Sequence, residues 1–262
     1  MLPAVVEPRT GLSMGQSTEL MAKQWQVTRA EQDQLAYDSH LKAASAWREG
    51  FYDDLVVPYL GLKTDNNVRA DTSLERLARL RPSFAADGTL TAGNSTPLTD
   101  GASAVLLATP EWAAKRSLPV LAYLRYGKVW AVDFVGAKEG LLMAPTYAVP
   151  AMLRDAGITL QEFDYYEIHE AFAAQVLCTL KAWESPQYCR ETLGLPAPLG
   201  SIDRARLNVK GGSVALGHPF AATGTRILAT LAKLLAGDAS AKRGLISVCT
   251  AGGMGVTAIV ER

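Results

Sequence analysis

Three side chains of this sequence combine a reactive type with a position from which they could act: His169, His218 and Cys249. His169 follows the apolar-aromatic run FDYYEI and precedes EAFAAQVL, a strand end leading into a helix, where layered α/β folds put ligands. His218 sits in ALGHPFAATG, with Pro219 stiffening the backbone after it. Gly211, Gly212, Gly217 and Gly224 around it permit tight turns and close approach to a ligand. The helix expected beyond offers free N–H groups to an anion. Cys249 closes the run LISVC and abuts TAGGMG, a turn whose backbone N–H groups could stabilise an oxyanion. Each has a plain structural reading as well. His169 could be a cap or a core histidine, His218 incidental to a glycine turn, and Cys249 a small buried hydrophobe. Together, a cysteine with two histidines forms a nucleophile or acid/base set. Zinc uses the same residue types, but no C-x-x-C or H-x-x-x-H spacing occurs, and no metal is expected.

Elements of an ordinary globular chain must position these groups. The 262 residues are 48% hydrophobic and 20% charged, enough for one large or two smaller domains. Lys+Arg and Asp+Glu both number 26, so no basic excess points to nucleic acid. Three cysteines cannot all pair within one chain, which favours a reducing, cytoplasmic setting. The N-terminal residues lack a signal-peptide pattern, and no apolar run approaches the roughly 20 residues of a membrane span.

TRAEQDQLAYDSHLKAASAWREG predicts an amphipathic helix, opened by Thr28 and Glu31 at capping-box spacing and stopped by Gly50. TDNNVRADTSLERLARLRPSF predicts a polar loop and a short helix ending before Pro82. Residues 101–109 read as a buried strand, and Pro110 as a helix start. From Val120 the order is strand, helix (Ala148 to Ala156), strand (FDYYEI) and helix (Ala171 to Trp183). A Pro/Gly-rich loop follows, then a helix from near Ala222 and two strands, GLISVCT and GVTAIVER. Strands alternating with helices argue for a layered α/β domain, with a soft boundary near Pro119.

At this point the sequence resembles the thiolases, acyl-CoA acyltransferases that cleave or form 3-ketoacyl-CoA. NVKGGSVALGHPFAATG is similar to the family's glycine-rich GHP signature, HEAFAAQ to its NEAF element and CTAGGMG to its C-terminal C-x-G-G-G element. TAGNSTPLTDGASA resembles the segment that touches the pantetheine of coenzyme A. MGQSTELMAKQWQVTRAEQDQLAYDSHLKAASA resembles the loop domain that covers it. The resemblance spans nearly the whole chain in family order. It implies a thiolase-like layered αβαβα architecture, here with an incomplete first half-domain. The implied divisions are a loop domain at 1–88, a remaining N-terminal half-domain segment at 89–119 and a C-terminal domain at 120–262.

The roles it implies are residue by residue. His218 would be the base that activates the nucleophilic cysteine and helps bind the thioester oxygen. Cys249 would be the acid/base cysteine that exchanges a proton with the substrate α-carbon or the CoA thiol. His169, where many thiolases have Asn, matches the branch resembling the β-chain of the fatty-acid oxidation trifunctional complex. It would orient a water or the acyl oxygen. Ala251 would supply an oxyanion N–H, Thr96 would sit by the pantetheine, and Arg69 near the adenine-nucleotide end. No cofactor is implied, coenzyme A being a substrate.

Two replacements depart from the family: Ala221 for Gly in GHP-x-G, and Ala251 for the first glycine of the C-terminal triplet. Both are small and are expected not to clash. A larger departure is the acyl-accepting cysteine, which thiolases carry before the loop domain. None of Cys178, Cys189 and Cys249 has that context, since all three follow the HEAF element. The sequence therefore reads as the C-terminal part of a 3-ketoacyl-CoA thiolase of β-oxidation, as a homo-oligomer or with a chain supplying the N-terminal half. The alternative is a non-catalytic CoA-binding fragment or one subunit of a split enzyme. β-Ketoacyl synthases and Cys/His hydrolases fit the wording of the motifs less well.

Overall fold

The computed structural model describes residues 6–136 and 138–262. Two helices open it, α1 (Met14–Gln24) and α2 (Arg29–Arg48), each with a reciprocal capping box at its start. Ser13 with Gln16 forms the first, and Thr28 with Glu31 the second. α2 ends at Glu49, where Gly50 takes φ +74°. Its buried face is Ala36, Ser39, Ala43 and Ala46, small residues that let other backbone approach closely.

α3 (Leu74–Ala78) follows. A strap over residues 89–99 then runs across the molecule, held at its start by buried Glu19 of α1. Glu19 accepts from the N–H groups of Thr89 and Leu90 at 2.8–3.0 Å. Buried Asp33 of α2 accepts from Asn94 Nδ2 at 2.9 Å. Both helices thus serve as the anchorage of the strap.

α4 (Pro110–Ala114) begins on proline as expected. The run before it contradicts the sequence reading. Residues 101–109 form no strand, and Leu106 and Leu107 are 73% and 64% exposed. A strand needs a neighbour to take its N–H and C=O groups, and among the described residues none pairs with this segment.

The remainder builds a four-stranded sheet from β1 (Tyr123–Ala131), β2 (Tyr165–Ile168), β3 (Arg243–Thr250) and β4 (Met254–Glu261). The strand order is β1-β4-β3-β2, with β2 and β3 parallel and the other pairs antiparallel. Helices α5 (Pro145–Ala156), α6 (Ala173–Glu184), α7 (Pro186–Glu191), α8 (Ser213–Leu216) and α9 (Thr223–Gly237) complete the chain.

Alternation along the strands sorts the core into two layers. Leu245, Ile259, Tyr166 and Ile168 pack with Val149, Met152 and Leu153 of α5 and Val176, Leu180 and Trp183 of α6. Ile246 and Val260 point the other way, onto Ile227, Leu231 and Leu235 of α9. The result is a helix–sheet–helix sandwich. β1 is the outer strand and keeps Tyr123, Leu124, Tyr126 and Val129 exposed.

Candidate functional site

Parallel β2 and β3 end on the same edge of the sheet, and each delivers a site residue there. His169 is the first residue past β2, its N–H donating to Ser247 O of β3 at 2.8 Å. Cys249 lies two residues further along β3, paired with Gly255 of β4. Ala251, Gly252 and Gly253 then close the β3–β4 hairpin, with positive φ falling on the two glycines and not on Ala251. Ala251 is exposed in that turn and fits it as expected.

The GHP loop reaches the same edge along the free side of β2. Leu207 bridges Tyr166, and Asn208 extends the pairing with its side chain. Asn208 Oδ1 accepts from Ile168 N at 2.9 Å and Nδ2 donates to Ile168 O at 2.9 Å, so the amide acts as an extra peptide unit. Asn208 Nδ2 also donates to Glu170 Oε1 at 2.6 Å. Glu170 Oε2 accepts from Ser39 Oγ of α2 at 2.7 Å and from Val214 N at 3.1 Å. A Cβ on Gly212 would stand 2.1 Å from this carboxyl carbon, so only glycine lets the loop pass. Gly217, at φ +86° with Thr99 Oγ1 against it, makes the turn that presents His218.

The strap ties both loops together. Thr96 N donates to Ala171 O at 3.1 Å, and Thr96 Oγ1 donates to Ser213 O at 2.8 Å. Ser95 bridges Phe172, Leu98 bridges His218, and Thr99 Oγ1 accepts from His218 N at 3.0 Å. Thr96 is therefore part of the site's frame. Arg69 is exposed, its N–H donating to buried His40 Nδ1 at 3.2 Å, two residues beyond Asn67, which lies against Gly217.

His169 and His218 meet with ring centroids 4.2 Å apart. His169 is 1% exposed and His218 half-buried beside the Phe220 ring at 5.0 Å. Burial, then His218 and Arg226, holds His169 well below the usual imidazole range. Burial and Arg226 bring His218 down to about 4. Both rings are therefore neutral at pH 7, and a neutral ring keeps one nitrogen lone pair for proton abstraction. His218 Nδ1 lies 2.6 Å from Thr223 Oγ1, whose own proton can go to Pro219 O at 3.3 Å. That arrangement leaves the His218 Nε2 lone pair for a ligand.

Cys249 is in the core with Phe134, Phe172 and Cys178, and burial pushes its thiol up to about 12. It is a thiol at neutral pH, suited to giving a proton and unsuited to being a resting nucleophile. Among the described residues neither imidazole is hydrogen-bonded to any cysteine. Cys178 lies inside α6 with its thiol also raised to about 12, and Cys189 Sγ donates to carbonyls of Ala182 and Trp183. No cluster of three or more metal-ligating side chains exists among the described residues.

One of the two small replacements is not neutral. Ala221 takes φ +66°, the left-handed region that glycine adopts without penalty. The strain is with its own backbone, since the residue is exposed. A left-handed residue with a Cβ costs about 1–2 kcal/mol, offset by about 0.4–1 kcal/mol because alanine is less disordered when unfolded. Ala221→Gly is therefore expected to stabilise the chain by up to about 1.6 kcal/mol in urea denaturation. A loss of stability would contradict the assigned backbone.

Sequence reasoning missed Ser213, Arg226, Glu170, Asn208 and Thr99, which hold the site. Asn208 and Ser213 flank the Gly211–Gly212 pair, and Arg226 lies one turn into α9. Positions so close to the motif were the available signal.

Two family models match the chain. "Thiolase, N-terminal domain" covers residues 1–111 and "Thiolase, C-terminal domain" residues 119–262. A 3-ketoacyl-CoA thiolase of Pectobacterium carotovorum is 46% identical over 267 residues, covering 99% of this chain and 60% of the relative. One from Vibrio cholerae is 45% identical over 270 residues, again covering 99% of this chain and 60% of the relative. Among solved structures, Bacillus anthracis acetyl-CoA acetyltransferase matches with TM-score 0.83 and 34% identity, over 98% of this chain and 62% of that one. Human mitochondrial 3-ketoacyl-CoA thiolase in complex with CoA matches with TM-score 0.84 and 30% identity, over 98% and 61%. The chain thus spans about three-fifths of the length of the relatives it matches.

Proposed function

Because the chain belongs to the thiolase family, we propose that it carries the acid/base half of a 3-ketoacyl-CoA thiolase acting in β-oxidation. The pairing of two neutral imidazoles 4.2 Å apart at a glycine turn carries this reading. In thiolytic cleavage a thiolate attacks the ketone, the C–C bond breaks toward the α-carbon, and a proton returns to the departing acetyl-CoA enolate. The thiol of a second coenzyme A then takes the acyl group from the enzyme cysteine. His218 Nε2 serves as the base for the attacking thiol. Cys249, a thiol at neutral pH, supplies the proton to the α-carbon. His169 and the Ala251 N–H face the developing oxyanion. Thr96 frames the pantetheine arm, and Arg69 meets the nucleotide phosphates.

The attacking thiolate is not one of this chain's three cysteines, whose surroundings are described above. We assign it to the part of the thiolase fold that this sequence does not span, which would cover the exposed apolar side chains of β1 and of Leu106 and Leu107. The assembly we propose is a homo-oligomer, or this chain with one supplying the N-terminal half. Three free thiols suit a cytoplasmic setting. A chain that binds coenzyme A without turnover is the second reading, supported by the absence of any hydrogen bond between a cysteine and His218 among the described residues.

Isothermal titration with acetoacetyl-CoA and with coenzyme A tests the binding on which both readings depend. Both ligands are expected to bind. His169→Ala is expected to weaken acetoacetyl-CoA about tenfold, the worth of one hydrogen bond to the thioester oxygen, and to leave coenzyme A unchanged. No binding of either ligand would contradict the assignment.

A further inference from the structure

Ser213 is fully buried, and its hydroxyl oxygen touches two groups: His169 Nδ1 at 2.9 Å and Arg226 Nη2 at 2.8 Å. A guanidinium has donors and no acceptor, so Ser213 Oγ accepts from Arg226. The hydroxyl proton then needs an acceptor of its own, and among the described residues the one in reach is His169 Nδ1. Were that nitrogen protonated, a buried O–H would face no partner, a penalty that biases the two tautomers by about tenfold or more.

His169 therefore carries its proton on Nε2. That atom is buried, has no partner among the described residues, and belongs to the ring that packs on His218. Arg226 reaches Ser213 from the first turn of α9, where its charge also acts on buried Glu170. His218 is served by a different hydroxyl, that of Thr223.

We propose that Ser213, oriented by Arg226, is a positioning residue that fixes His169 as an Nε2–H donor, so that the paired imidazoles meet a ligand with opposite polarity. His169 gives a hydrogen bond where His218 offers a lone pair. A carbonyl oxygen developing negative charge beside a thiol being deprotonated needs this combination. The benefit to chemistry rests on the thiolase reading; the tautomer itself does not.

The chain's three histidines make the test direct. Nitrogen-15 NMR of histidine-labelled protein at pH 7 reports which ring nitrogen is protonated. His40, whose Nδ1 accepts from Arg69 N at 3.2 Å, serves as an internal Nε2–H reference. His169 is expected to show Nε2–H with a hydrogen-bonded Nδ1. In Ser213→Ala its Nδ1 signal is expected to move to the unbonded position or split between tautomers, with His40 unchanged. Ser213→Thr, which keeps a hydroxyl, is expected to restore it. Arg226→Met is expected to weaken the Nδ1 bond while leaving the hydroxyl in place.

A protonated His169 Nδ1 in the parent chain would overturn the proposal, and so would a His169 spectrum indifferent to Ser213→Ala. The parent spectrum alone decides the tautomer should a variant fail to fold. Titration of the same samples with acetoacetyl-CoA separates the two levels. A wrong tautomer with binding retained removes the role of Ser213 and leaves the thioester reading standing. Loss of binding with the right tautomer does the reverse.

Discussion

At pH 8 the Glu167→Gln variant is expected to be more stable than the parent chain by about 4 kcal/mol, and at pH 4.5 the two are expected to be nearly equal. Glu167 lies in β2 opposite Ile246 of β3, is 2% exposed, and its Oε1 has no hydrogen-bond partner among the described residues. Its carboxyl stands at about 8 because burial, the largest cause, and Glu170 raise it more than Arg226 and Lys42 lower it. The folded value is thus above the unfolded value of 4.5. A group raised in this way contributes stability that is full below pH 4.5 and lost as pH rises toward 8. The folded state must then either ionise a buried carboxyl or hold a proton that the unfolded chain would release.

Each pH unit in that window is worth about 1.4 kcal/mol. Glutamine keeps the shape and removes the proton. Urea denaturation of both chains at the two pH values isolates the effect, because every other titrating group cancels in the difference. Parallel pH profiles would show that Glu167 is ionised in the fold. A neutral Glu167 also matters to the site, since it leaves the Arg226 charge directed at Ser213 and Glu170.

The parts of this molecule legible in the sequence are those set by neighbours a few residues apart. Thr28 with Glu31 and Gly50 delimit α2 because caps are local chemistry. Pro110 opens α4, and the two glycines between β3 and β4 fold the hairpin, for the same reason. The motif wording gave the family, and the comparisons bear it out.

Residues 101–109 show where the sequence misleads. Their apolar pattern is that of a strand, but a strand is a property of a pair, and among the described residues no partner lies alongside. Site assembly was illegible for a related reason. Ser39 is 173 residues from Gly212 and 131 from Glu170, yet it bonds to both. No periodicity encodes such contacts. The small size of Ala221 avoids any clash, as expected; the constraint that the sequence does not show lies in its own φ.

His218 carries the second large effect. With Nε2 as base, its loss removes general-base assistance worth about 10²–10⁴ in rate. Its neutral state at pH 7, with the ring held down to about 4, keeps the lone pair available throughout the neutral range. His40 is likewise brought to about 4, by burial and then Arg69, but lies on the buried face of α2 and takes no part in the pair. It is the matched control.

The measurement is thiolytic cleavage of acetoacetyl-CoA by this chain joined to the part of the related Pectobacterium carotovorum thiolase that it does not cover, about two-fifths of that relative. Turnover is expected in the joined protein, to fall about a thousandfold or more in His218→Ala and to be little changed in His40→Ala. A folded joined protein that binds coenzyme A yet shows no turnover, or turnover indifferent to His218→Ala, would contradict the account.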